Sequence, residues 1–332
     1  MNRVGSRAFT IVELLIVIVV IAILAAITIV AYNGIQTRAR TASVQADTSN
    51  ALKKIKVFQT ENASDSYPSS VSSCPTPATG TLCLSGSGGN TIDYFVDNSV
   101  SPASYCLSSS RSTGEGYFVD DAGQVLPGSC VMKSCYDIQQ KGGSHGSGFY
   151  WIKPTAADAQ RVYCDMQTSG GGWTLIVTSA GAGTHWDSNS IRSYNESTPS
   201  ISQSYSILNK ANNIKANLGN KLNYRIDANA FGSWGGVWEA PYANSFVATA
   251  AANNSTNIQK YNTWTIDGDG SNGTQSLTNN MPWLSSAPQL LSTWHGTGNW
   301  FGSMVTNQTG WNTAPYITPE LTAPNIIWYW VK

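Results

Sequence analysis

Residues 8–36 read AFTIVELLIVIVVIAILAAITIVAYNGIQ, and the most informative of them is Glu13, one carboxylate in an otherwise uncharged apolar run. From Phe9 to Tyr32 the run is 24 residues long. About 20 apolar residues, rising ~1.5 Å each, are enough to cross the hydrocarbon core of a bilayer. A carboxylate in such a run costs roughly 3 kcal/mol on insertion scales, so its presence points to a helix that leaves the membrane for a partner.

Working outward, a short basic leader, MNRVGSRA, precedes the run with Arg3 and Arg7. A secretory signal peptide or a permanent signal anchor accounts for the positive charge, but neither explains Glu13. Helical spacing also continues past the lipid-length segment. Ile35, Ala39, Ala42, Ala46, Ser49, Leu52, Ile55 and Phe58 fall three or four apart, with Arg38, Arg40, Lys53, Lys54 and Lys56 between them. The pattern predicts one helix over 9–60, about 75 Å long at 1.5 Å per residue, with a membrane-spanning half (9–32) and an amphipathic half (33–60). Gly34, where lipid would end, offers a place to bend.

The basic leader 1–8, Ala8, Phe9-Thr10 and Glu13 together resemble the class III signal and N-terminal helix of type IV pilins. The resemblance implies cleavage between Ala8 and Phe9 by a prepilin peptidase, N-methylation of Phe9, and pairing of Glu13 with a neighbouring subunit's terminal amine during assembly. A carboxylate in lipid gains a charge-assisted partner that way. Ala8 stands where the family usually has Gly, a small-for-small change that leaves processing expected. The cytoplasmic membrane of a bacterium before assembly, and the pilus or cell surface afterwards, are the implied locations.

Lys+Arg and Asp+Glu balance at 19 each, and losing the leader leaves 17 against 19. From Cys135 onward the count is 10 against 10. Neither balance provides a footprint for nucleic acid. Only 11% of residues are charged, which suits an uncharged, hydrogen-bonding extracellular surface. Six cysteines, Cys74, Cys83, Cys106, Cys130, Cys135 and Cys164, all follow the helix and read as three disulfides of an exported domain, with 15 possible pairings. Sequential pairing keeps each bridge within one local module. Zinc is disfavoured because no Cys-x-x-Cys occurs.

All 12 tryptophans lie between Trp151 and Trp330, a composition shift that places a boundary near residues 129–135. Before it, residues 61–130 read as a loop over 69–90 and strands at 91–97, 103–109 and 116–121, the arrangement of a pilin head packed on the helix. After it, residues 135–176, CYDIQQKGGSHGSGFYWIKPTAADAQRVYCDMQTSGGGWTLI, resemble the opening of fibrinogen-like domains. That family bonds the equivalents of Cys135 and Cys164 to each other. The resemblance thins beyond Ile176, although residues 325–332 still look like the closing strand. The expected fold is α+β: a long pilin helix, a small antiparallel head, and a divergent fibrinogen-like domain over 131–332.

Two clusters in that domain carry candidate chemistry. In the metal candidate set Asp267, Asp269, Ser271 and Gly273, the two aspartates and the serine place oxygen-bearing side chains at alternate positions of a glycine-rich turn that runs to Gly273, the hard ligands that Ca²⁺ takes. Thr278 stands where an EF-hand has its Glu, and from spacing alone a polar hairpin turn fits equally well. The resemblance, whose family has a calcium loop with paired acids there, favours Ca²⁺. Trp294, His295 and Trp300, on glycine-rich sequence, are candidates for stacking against sugars, with ordinary core burial as the alternative for any tryptophan. No recognisable triad occurs, so no enzyme is expected. His145 reads as a loop residue. The reading is therefore a pilus-associated adhesin whose partners are other pilin subunits and a glycan or glycoprotein. The alternative is a structural pilin, or a pseudopilin of a secretion or DNA-uptake system, with a decorative second domain.

Overall fold

The structure, a computed structural model, describes residues 11–62, 64–72, 74, 78–99, 101–180, 186, 189–247, 256–261, 291, 293–294, 300–301 and 326–332. Its first element is a single helix, α1 (Ile11–Glu61), unbroken through Gly34. Gly34 stays within the hydrogen-bonded helix, because a single interior glycine loses only about 1 kcal/mol against Ala and need not break the ladder. Residues 11–35 present their apolar side chains to the outside.

The amphipathic half also differs from the sequence pattern. The buried stripe is Val44, Thr48, Ala51 and Ile55, whereas Ala39, Ala42 and Ala46 are exposed. Alanine is apolar but small enough to be indifferent to burial, so a count of alanines misplaces the face. The true stripe is narrow, and Thr48 Oγ1 stays satisfied in it by donating to the carbonyls of Val44 (3.0 Å) and Tyr117 (3.3 Å).

Behind the helix, β1 (Ser70–Ser72) and β2 (Thr81–Cys83) form a short parallel pair inside what reads as loop from sequence, with Cys74 bonded to Cys83. Next come β3 (Thr91–Asp97), β4 (Ser104–Ser110), β5 (Gly116–Asp120) and β6 (Leu126–Pro127), an antiparallel meander in that order. Side chains alternate across a strand, and here both faces are used. Tyr105, Leu107 and Val119 join Ala51 and Ile55 in a core against α1. Cys106 and Phe118, one position out of phase, belong to the core of the following domain. The head sheet is thus the middle layer between helix and globe.

The globe opens with α2 (Cys135–Gln140), capped by the Ser134 side chain, which accepts from Asp137 N. Then follow β7 (Gly148–Ile152), β8 (Gln160–Asp165), β9 (Trp173–Ala180), β10 (Tyr205–Ser206), β11 (Lys221–Ala228), β12 (Ala230–Pro241), β13 (Thr256–Tyr261), β14 (Thr293–Trp294), β15 (Trp300–Phe301) and β16 (Ile326–Val331). Its main sheet is antiparallel in the order β13-β12-β11-β16-β9-β8-β7, with β10 beside β9. The last strand of the chain lies at the centre of the sheet. Its residues 327–331 are almost wholly buried, as expected for a strand covered on both faces. Disulfides Cys106–Cys130 and Cys135–Cys164 stand on either side of the boundary.

Candidate functional site

Where β8, β9, β11 and β16 meet, the globe buries an ionic cluster. Arg225, on β11, has no solvent exposure; its Nη2 lies 2.7 Å from Asp165 Oδ2 and its Nε 2.9 Å from Asp227 Oδ2. The guanidinium is sandwiched by aromatic rings, its Cζ 4.4 Å from the Trp330 centroid and 5.3 Å from that of Trp173. Asp165 Oδ1 accepts from Ser147 Oγ and from the amides of Gln167 and Thr168, while Asp227 Oδ1 accepts from Gly232 N. Every charge is therefore paired and hydrogen-bonded, the condition for keeping ions in an apolar interior.

The two carboxylates titrate apart. Burial pushes Asp165 up, but Arg225 and the Thr168 and Gln167 donors outweigh it and hold the group near 2. For Asp227 burial dominates and the group is pushed up to about 6, against the pull of Arg225.

The turn beside this cluster is built by glycine. Gly170, Gly171 and Gly172 all have positive φ (82°, 66°, 74°), and a Cβ on Gly171 would overlap the Met166 carbonyl and the Gln139 side chain. Trp173 Nε1 and Arg225 both donate to Thr168 O, and Ser169 Oγ meets Tyr261 Oη at 2.5 Å where β13 ends. The cluster thus ties the 165–172 turn to β11, β13 and β16. Isolated charges in the apolar strand LNYRIDA were the sequence signal for Arg225 and Asp227.

The residues singled out from sequence are placed unequally. Glu13 sits in the first turn of α1, on the exposed apolar half. Trp294 and Trp300 occupy paired register positions, Cα partners in the β14–β15 pair. Ala8, Phe9, His295 and the set Asp267, Asp269, Ser271 and Gly273 lie outside the described residues. Among the described residues no group of three or more His, Cys, Asp or Glu is arranged to hold a metal ion. A cleft of about 350 Å³, lined by Thr41, Arg111, Glu115, Tyr117, Met132 and Lys141 among others, opens instead where helix, head and globe meet.

Family models match both ends of the chain. Residues 3–29 match the prokaryotic N-terminal methylation motif, and residues 131–289 match the C-terminal globular domain of fibrinogen beta and gamma chains. The chain carries a prepilin motif and a fibrinogen-like globe. Among characterised proteins it is similar to fibrinogen-like protein A of Apostichopus parvimensis (49% identical over 46 residues, 13% of this chain and 16% of that protein). Human angiopoietin-4 is 43% identical over 53 residues (16% and 10%), and the Gallus gallus fibrinogen beta chain 45% over 60 residues (17% and 13%). The matched segments span no more than 16% of these relatives' length. Similar solved structures include the fibrinogen-like globe domains of human ANGPTL6 (13% identity, 60% of this chain and 95% of that one, TM-score 0.34) and human ANGPTL2 (12%, 60% and 98%, TM-score 0.35). The prepilin motif implies processing by prepilin peptidase and assembly with other pilins, and with the apolar helix it fits a membrane-anchored, then surface-exposed, pilin.

Proposed function

We propose that this protein is a minor or tip subunit of a type IV pilus that acts as a surface adhesin, its fibrinogen-like globe binding glycan or glycoprotein ligands with Ca²⁺. It serves as a binding protein rather than an enzyme, stored by a single span in a bacterial cytoplasmic membrane before assembly into the fibre. The observation that carries this reading is the layered continuity of α1, head sheet and globe, which attaches a bulky globe to an assembly helix. A globe of about 200 residues on every subunit would crowd a densely packed shaft, which favours a minor or tip position.

The test is binding of the detergent-solubilised full chain to a glycan array with and without EDTA. EDTA-sensitive binding to a defined glycan class is expected, and an array without any such signal would sink the adhesin reading. Immunogold labelling separates the positions. Sparse or terminal label is expected, whereas label along whole shafts would favour a structural subunit.

A further inference from the structure

The face of the head sheet turned away from α1 is closed by the globe across a seam of complementary charge. The head contributes Asp120 and Asp121 at the end of β5; the globe contributes His145 before β7 and Arg161 on β8. His145 Nε2 lies 3.2 Å from Asp120 Oδ2, with the two side chains 13% and 3% exposed. Arg161 Nη2 lies 3.5 Å from Asp121 Oδ2. Asp121 Oδ1 also accepts from Ser104 Oγ, which in turn accepts from Trp151 Nε1 of the globe. The Trp151 ring stacks on Phe95 of β3, centroids 6.0 Å apart, with Lys153 Nζ over the other ring of that pair. The fit is close: a Cβ on Gly143 would come within 2.8 Å of the Phe118 ring and 2.6 Å of the Pro127 carbonyl.

We infer that the His145–Asp120 contact is a pH-sensitive latch that docks the globe onto the head more tightly in mildly acidic surroundings than at neutral or alkaline pH. The imidazole is preorganised for this role. It stacks on Tyr150 at 4.2 Å, and the Tyr150 hydroxyl accepts from His145 N while donating to Gly146 O, so the ring is aimed at the head. The charged groups around the contact are Asp120 and Asp121, which favour imidazolium, and Arg161, which is engaged with Asp121. Tyr150, Tyr105 and Tyr67 stay neutral because burial raises all three phenols. The hydrogen bond that His145 donates to Asp120 outweighs burial and raises the imidazole above its ordinary value. A group raised on docking contributes fully below its free value of about 6.5 and ceases to contribute as pH climbs through its docked value. The hinge is short: only residues 131–134 separate Cys130 from Cys135, about 14 Å of extended chain.

The experiment is hydrogen–deuterium exchange on the oxidised full chain in detergent micelles, at pH 5.5 and pH 8, corrected for intrinsic exchange. The reporters are seam amides such as Lys153 N, which donates to Met132 O at 2.7 Å. Opening at the seam should rise between the two pH values by roughly tenfold for each unit by which docking raises the imidazole. Amides of β11 and β16, far from the seam, serve as the internal control. His145→Gln, neutral throughout, should open equally at both pH values, as should Asp120→Asn. If Asp120→Asn fails to fold, His145→Gln decides alone, since that side chain lies at the rim. A flat wild-type response, or a pH response that survives in His145→Gln, would overturn the latch.

Discussion

Arg225 Nη2 and Asp165 Oδ2 stand 2.7 Å apart with both side chains shut off from solvent, and the turn that follows Asp165 hangs on that pair. Removing one partner of a buried pair leaves an uncompensated charge, at a cost of about 3–5 kcal/mol. Asp165→Asn should therefore destabilise the globe by that amount in denaturant unfolding of the full chain in micelles. A loss under about 1 kcal/mol would mean that Asp227 alone satisfies the guanidinium.

The same cluster sets a pH profile. Asp227 binds its proton more tightly folded (about 6) than unfolded (about 3.8), so its contribution is largest below 3.8 and shrinks as pH rises to 6. Asp165, held near 2, has the opposite sign: its contribution is complete above 3.8 and fades as pH falls through 2. Thermal stability should peak near pH 4 and decline toward pH 6. Asp227→Asn should flatten that decline while leaving the acid limb in place, which a series of thermal melts between pH 2.5 and 7 will show.

The position of the buried stripe on α1 can be tested with two alanines. Ala51 is 2% exposed against the head sheet, whereas Ala46, five residues earlier, faces outward. Ala51→Leu should cost about 1–3 kcal/mol by overpacking, and Ala46→Leu should be close to neutral in the monomer. Equal effects in denaturant titrations would return the stripe to the alanine face.

The Cys135–Cys164 bridge closes a loop with a sequence separation of 29. On the chain-entropy account, replacing both cysteines with serine should cost about 3.5 kcal/mol. Non-reducing peptide mapping should recover the Cys135 and Cys164 peptides joined in the parent, and a different partner for either would break the assigned pairing.

Two stretches of the chain are legible in sequence for the same reason. The lipid-length run with Glu13, and the spacing from Cys135 to Trp173, are local patterns, and local patterns survive without knowledge of the fold. Of the head strands, β3, β4 and β5 are legible within a residue or two of their places because turn residues mark them, whereas β1, β2 and β6 are too short to carry a pattern. The buried face of α1 is not legible in the apolar spacing, because alanine carries too weak a preference for burial to mark it. The His145–Asp120 contact joins residues 25 apart across a layer boundary, and no local pattern encodes such a pair. The double use of β4, with Tyr105 toward the helix and Cys106 toward the globe, was invisible for the same reason.

The order of the disulfides has a mechanical side. If the globe is held by a surface while the helix is anchored, tension runs along the backbone through the boundary, and Cys106–Cys130 and Cys135–Cys164 divert it around loops with separations of 24 and 29 residues. Roughly 180 Å of chain, at about 3.5 Å per residue, cannot pay out under load while those bonds hold. The crossing from β4 of the head to β8 of the globe is thus short, so a pull on the globe reaches the head sheet with little slack.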